Sequence, residues 1–255
     1  MAEIAHRPSF QCNHLGIGKI MLTEGVAIRS LDGTCFGALL QLPCAGRGPV
    51  VVVAQEIFGV NPFMQEVVQW LASEGFVGLC PDLYWRHGSG ITFDPLNEAQ
   101  RQRALEMFHD YDLEEGVADL RATVNHARSQ PFCDGNVAVV GYCLGGALAY
   151  EAAAEGVSDC CIGYYGVGFE KRLHRAPLIT TPAMFHMGKQ DHYVSPEAQV
   201  LITGAFGKNS SIELHWYDAG HSFARASSPN YSAQATRTAN ARTLELLKRT
   251  GTKGK

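Results

Sequence analysis

At 255 residues, with 46% hydrophobic and 18% charged side chains, the chain has ample material for one large core, which excludes global disorder. Twenty-one basic and 25 acidic residues leave a net charge of −4, so there is no general electrostatic footprint for nucleic acid or an anionic membrane. The longest unbroken apolar run, Val50 to Ala54, falls far short of the ~20 residues that cross a bilayer, and a soluble protein is expected.

Eight cysteines stand at 12, 35, 44, 80, 133, 143, 160 and 161. None forms a C-x-x-C pair, so zinc and thioredoxin-like readings lack support in spacing. A core of this size needs no disulfide framework. The first twenty residues carry scattered charge and no signal-peptide apolar segment, so a reducing cytoplasm is the expected setting.

In chain order, Val26, Ile28 and Cys35 to Leu42 flank Asp32-Gly33, a pair that favours a β-hairpin. From residue 49 short apolar runs alternate with helical segments, the mark of a mostly parallel sheet with helices on both faces. The runs predict strands over Val50–Ala54, Phe76–Cys80, Val137–Val140, Cys160–Tyr164, Ala183–Met187 and Ile212–Tyr217. Asn61-Pro62, Asp94-Pro95 and Ser195-Pro196 each set a capping side chain before a proline at a first helical position. The helix after Asn61 places Met64, Val67, Val68 and Leu71 on one face and stops at Gly75. Asp94 to Arg128 reads as two helices divided near Asp110–Asp112. Further helices are predicted from Leu144 to Glu155 and from about Ser232 to Arg249. Nothing in this pattern marks a domain boundary: a single domain over 21–249 is expected, with 1–20 as an N-terminal extension.

Gly141-Tyr142-Cys143-Leu144-Gly145 follows a strand and enters a helix, which is the G-x-S-x-G turn of α/β-hydrolases with cysteine in place of serine. A strained strand-to-helix turn needs neighbours without Cβ bulk, hence the glycines two residues to either side. The turn aims the sulfur outward at a helix N-terminus, where partial positive charge favours thiolate, and frees the Leu144 N–H for an oxyanion. At an ordinary thiol pKa near 8.5, ionisation at neutral pH costs about 2 kcal/mol, so the base is less essential than for serine. A permanent thiolate would also oxidise. An enzyme using Cys143 would therefore gain from a thiol that stays neutral until substrate arrives.

The α/β-hydrolase order is nucleophile, acid, histidine. Asp191 lies on the loop after the strand Ala183–Met187, and His221 follows Ile212–Tyr217 and Asp218-Ala219-Gly220. His221 is expected to move protons and Asp191 to fix its tautomer. Of the rival histidines, His215 lies within a strand and His192 directly follows the acid. Glu56 stands in the loop that supplies the second oxyanion donor of this fold. Flanked by apolar residues, it calls for a partner, either a nearby arginine or the thiol itself.

Taken together, Gln55-Glu56-Ile57-Phe58-Gly59-Val60-Asn61, Cys80-Pro81-Asp82-Leu83-Tyr84, Gly141 to Gly146, Gly163-Tyr164-Tyr165-Gly166 and Gly220-His221-Ser222-Phe223 resemble the dienelactone hydrolase (carboxymethylenebutenolidase) family from about Met21 to Leu247. The resemblance implies a cofactor-free, monomeric enzyme of (chloro)aromatic degradation that opens the dienelactone ring to maleylacetate. Cys143, His221 and Asp191 would form its triad. It further implies a resting thiol turned from histidine toward Glu56, itself paired with Arg225. Arg101 and Arg225 would take the substrate carboxylate and free Glu56 to draw the proton from Cys143. The Ile57 and Leu144 N–H groups would hold the oxyanion, and Tyr165 and Ser222 match pocket positions. From the residues alone Arg86 and Arg103 are equal candidates to Arg101. Leu105 and Phe108 occupy positions where family members can carry Tyr and Trp, which leaves preference among substituted lactones open. Two other readings remain: a broader hydrolase of carboxylated esters or thioesters on the same triad, and a non-enzymatic thiol redox or binding module.

Overall fold

The computed structural model describes residues 25–251. The extension 1–20, the start at Met21 and Cys12 lie outside the described residues.

Eight strands form one sheet in the order β1-β2-β4-β3-β5-β6-β7-β8. β1 (Gly25–Arg29) and β2 (Cys35–Gln41) make the hairpin expected around Asp32-Gly33, with Val26 opposite Ala38 and Ile28 opposite Phe36. β2 joins β4 (Val77–Pro81) antiparallel. From there β3 (Gly48–Ala54), β5 (Cys133–Tyr142), β6 (Cys160–Tyr164), β7 (Ala183–Gly188) and β8 (Ile212–Tyr217) pair in parallel. β3 to β7 read as apolar runs because both faces of the parallel sheet are covered, and Val50 to Ala54 are fully buried.

β5 begins at Cys133, four residues before the predicted start. Asp134-Gly135 reads as a turn, yet Cys133 pairs with Gly48 across an irregularity that absorbs the extra residues.

Helix α1 (Pro62–Ser73) begins where Asn61 accepts a hydrogen bond from the Met64 N–H, and packs on β2, β3 and β4. The start predicted at Asp94-Pro95 is corrected: α2 (Glu98–His109) is capped by Asn97 instead. Asp94 Oδ1 accepts from the Leu96 N–H in a tight turn, and the Gln100 side chain accepts from the Asp94 N–H. The aspartate thus organises the approach to the helix and not its first turn. α3 (Leu113–Arg128) and α4 (Leu144–Ala154) pack together over the sheet centre. α5 (Pro196–Phe206) is capped by Ser195 as expected. α6 (Ala233–Gly251) closes the fold against β5 and β6, and its Lys248 reaches Glu74 at the end of α1. Between β6 and β7 run two 3-10 turns, Phe169–Lys171 and Leu173–Leu178.

Candidate active site

Five strands deliver the candidate residues from their C-terminal ends: β3 leads to Gln55-Glu56-Ile57, β5 to Cys143, β6 to Tyr165, β7 to Asp191 and β8 to His221. Parallel strands align these ends, so residues distant in the chain converge at one edge of the sheet. Backbone bonds tie the loops together. The Cys143 N–H donates to the Tyr164 carbonyl at 3.0 Å, the Gly145 N–H to the Gln55 carbonyl at 3.0 Å, and the Tyr165 N–H to the His186 carbonyl at 2.7 Å.

Cys143 sits at φ 55°, ψ −112°, a conformation costing about 1–3 kcal/mol for a residue with a side chain. The turn closes only because its neighbours lack Cβ atoms. One on Gly141 would stand 1.8 Å from the Gly145 carbonyl oxygen, and one on Gly145 would stand 2.1 Å from that of Ala54. Tyr165 (φ 39°) and Ser222 (φ 57°) are the other non-glycine residues with positive φ among those described, so the strained backbone is confined to this site.

His221 Nδ1 lies 2.8 Å from Asp191 Oδ2, both groups being buried. Asp191 Oδ1 accepts from the Tyr193 N–H, which fixes the carboxylate plane. Burial acts to lower the His221 pKa. That effect is outweighed by the negative charge of the Cys143 sulfur, by hydrogen bonds to Asp191 and Cys143, and by the charge of Asp191, which together push it up to about 10. With Nδ1 committed to Asp191, Nε2 is the ring nitrogen left to face the sulfur. Cys143 is thus an electrostatic partner of His221.

Glu56 is 1% exposed. Burial raises its pKa against the opposing charges of Arg225 and His221 and the hydrogen bond from Tyr165. Arg225 Nε stands 3.1 Å from Oε2, and the Tyr165 hydroxyl donates to Oε1 at 3.2 Å. At that distance the arginine contact is close, but its N–H does not point at the oxygen, so neither atom completes a well-directed hydrogen bond. The contact is a buried ion pair. The Arg225 guanidinium also reaches Ser222 and Ser227 and lies 5.3 Å from the Phe58 ring centroid.

Neither the Ile57 nor the Leu144 N–H donates to another group among the described residues, as an oxyanion site requires. The Tyr84 hydroxyl donates to the Ile57 carbonyl at 2.9 Å and so holds that peptide in place. A cavity of about 370 Å³ opens onto this edge, lined near the sulfur by Ile57, Cys143, Tyr193 and His221 and farther out by Leu105 and Phe108.

The remaining candidates sit elsewhere. Arg101, on exposed α2, is held by Glu98 at 2.6 Å and does not line the cavity, although Leu105, one turn on, does. Its rivals are engaged too: Arg86 with Asp119, Arg103 with Glu106. Tyr165 and Ser222 lie behind the cavity wall. Tyr165 packs edge-on against His221 and binds Glu56, while the Ser222 hydroxyl donates to the His221 carbonyl at 2.7 Å. Tyr193, which the sequence reading passed over, stands edge-on to His221 at 4.7 Å between ring centroids. Its position two residues past Asp191 was the available signal. No group of three His, Cys, Asp or Glu side chains among the described residues could hold a metal ion, and no described helix is long and apolar enough to cross a membrane.

Residues 36–251 match the model of the dienelactone hydrolase family. A carboxymethylenebutenolidase from a Pseudomonas species is 75% identical over 90% of this chain and 96% of its own length. Carboxymethylenebutenolidase 1 of Cupriavidus pinatubonensis is 55% identical over 89% of this chain and 97% of its own. Among solved structures, a putative dienelactone hydrolase from Klebsiella pneumoniae superposes with a TM-score of 0.76 at 22% identity, covering 89% of this chain and 98% of that one, a likeness of fold.

Proposed function

From the premise that this chain belongs to the dienelactone hydrolase family, we propose that it opens the ring of 4-carboxymethylenebut-2-en-4-olide to maleylacetate in the breakdown of (chloro)aromatics. Cys143 is the nucleophile, and the protein acts as a cytoplasmic monomer without a cofactor. What supports this reading is the convergence of Cys143 and His221 at one cavity, with Asp191 behind the histidine and the Ile57 and Leu144 N–H groups making no other hydrogen bond among the described residues.

The chemistry proceeds by acyl transfer. Two proton acceptors serve the sulfur: His221, its neighbour in this structure, and Glu56, once a substrate carboxylate competes for Arg225. The thiolate adds to the lactone carbonyl, and the N–H groups of Ile57 and Leu144 take the oxyanion. Collapse breaks the ring C–O bond, and the enolate leaves and becomes a ketone by taking back the proton that His221 or Glu56 drew from the sulfur. His221 then draws a proton from water, which attacks the thioester. The new carboxylate departs and the thiol is restored, while Asp191 balances the imidazolium. Arg225 suits a carboxylate because its planar fork is permanently charged and its Nε–H is not committed to a well-directed hydrogen bond. Arg101 serves as an outer guide for the anion from the exposed helix α2, after exchanging Glu98 for it.

Purified protein assayed for dienelactone consumption tests the reading. Turnover is expected in the native chain, with a loss of at least ~10³-fold in Cys143→Ala. Undiminished turnover in Cys143→Ala would overturn it.

A further inference from the structure

The cavity extends well past the space a small lactone needs. Cys143, Ala147, Tyr150 and Glu151 line it together, and their spacing of four, three and one residues places them on one face of α4. From Cys143 to Glu151 is eight residues, about 12 Å at ~1.5 Å rise per residue. The cavity therefore runs along α4, and its character changes on the way. The reacting end is polar. Between the two ends Ala147 stands on α4, and Leu105, Phe108, Leu113, Val167 and Phe169, the last packed on Tyr150, add apolar side chains to the lining.

The far end is charged, and the charges are sorted by accessibility. Glu151 is 3% exposed, and its carboxylate is neutralised from behind by Arg175 Nε at 2.7 Å. Glu170 is half-buried, with Oε2 enclosed and without a hydrogen-bond partner. Arg172 is different: its side chain is 39% exposed, it approaches Glu151 only at 3.6 Å, and its guanidinium makes no hydrogen bond among the described residues. Beside it Lys171 is exposed and forms no ion pair with a described residue. The exposed donors without a hydrogen-bond partner at this end are therefore those of Lys171 and Arg172. Buried Glu151 attracts the Arg172 guanidinium toward the cavity wall, while the fork keeps its N–H groups unspent.

We propose that Lys171 and Arg172 form an anion subsite at the far end of the active-site cavity, and that it admits a second substrate class: esters whose acyl chain is apolar and ends in a carboxylate. The match is one of sequence along the ligand. The ester carbonyl lies at Cys143, a hydrocarbon segment at the apolar waist, and the terminal carboxylate at the Arg172 fork. An extended chain advances ~1.2 Å per bond, so the span corresponds to about ten bonds less the reach of the arginine. This inference rests on the Cys143 chemistry proposed above but not on the lactone as substrate. The acyl step is the same, with p-nitrophenolate leaving in place of an enolate and water releasing the dicarboxylate.

The test uses p-nitrophenyl monoesters of adipic, suberic and sebacic acid, each paired with the methyl-ended ester of equal chain length. The readout is the ratio of kcat/KM for the carboxylate-ended over the methyl-ended ester. The native protein is expected to show a ratio of ~10 or more at suberate or sebacate and a smaller one at adipate, and Arg172→Gln should bring it down toward unity. Lys171→Gln, at an exposed position without a protein partner, should lower it by a smaller factor and guards against misfolding of the first variant. A native ratio near unity at every length, or one that neither variant moves, would overturn the subsite. Dienelactone turnover measured on the same preparations separates the two claims: its absence alongside a chain-dependent ratio refutes only the lactone assignment, and its presence with a flat ratio refutes only the subsite.

Discussion

Replacing Arg225 by Gln removes the cation beside a carboxylate that has almost no access to water. Only the Tyr165 hydroxyl then remains on Glu56, and breaking a buried pair from one side typically costs about 3–5 kcal/mol. The group has an escape, however: it can take up a proton. Relative to an ordinary glutamate near 4.3, protonation at pH 7 costs at most about 1.4 kcal/mol per pH unit over ~2.7 units, so about 3.7 kcal/mol caps the electrostatic loss. At pH 5 the same cap falls to about 1 kcal/mol. The sign follows from proton counting. Burial already raises the folded-state value of Glu56, and removing Arg225, the larger of the charges opposing that rise, raises it further. Between ~4.3 and that raised value the folded protein holds more protons than the unfolded chain, so stability falls as pH rises through the window. Urea unfolding of the native and Arg225→Gln proteins at pH 5, 6 and 7 reads the difference directly. Destabilisation should be about 3 kcal/mol at pH 7 and shrink markedly by pH 5. A loss of equal size at all three values would refute the reasoning and assign the effect to packing on Phe58.

Gly145→Ala should cost at least ~10²-fold in kcat, because a Cβ 2.1 Å from the Ala54 carbonyl must displace the strand end that carries Ile57 or the helix start that carries Leu144; steady-state kinetics with retained far-UV circular dichroism checks it. Asp191→Asn should leave the fold intact and lower kcat by ~10²–10⁴-fold by favouring the wrong His221 tautomer, with little change in KM. NMR titration of the His221 ring should show the imidazolium persisting to about pH 10 in the native protein and losing its proton at distinctly lower pH in Cys143→Ala, since the sulfur's charge leads the influences that raise it.

How much of this was written in the residues depends on the kind of constraint. The turn at Cys143 was legible because steric exclusion acts locally: two glycines at fixed offsets between an apolar run and a helix leave few alternatives. Asp191 and His221 were legible because parallel strands deliver their loops to one edge, so chain order stands in for geometry. The start of α2 was not, since Asp94 and Asn97 are both good caps three residues apart and the choice falls to the Gln100 side chain, whose reach depends on the folded loop. Arg225 and Arg101 look equivalent as letters. Their difference, one enclosed beside Glu56 and the other exposed on Glu98, is set by tertiary packing that leaves no local trace.

The three positive-φ residues with side chains, Cys143, Tyr165 and Ser222, are a nucleophile candidate, a clasp on Glu56 and a brace under His221. Tension in the main chain and chemical capacity thus reside in the same places. Selection for heat resistance would find easy relief by installing glycine at 222, relaxing a left-handed backbone without disturbing the hydrophobic interior. The imidazole would then lose the hydroxyl beneath its carbonyl and gain freedom to wander. Hardened descendants of this protein should accordingly carry their gains in outer helices and loops, with those three positions left as taut as they are now.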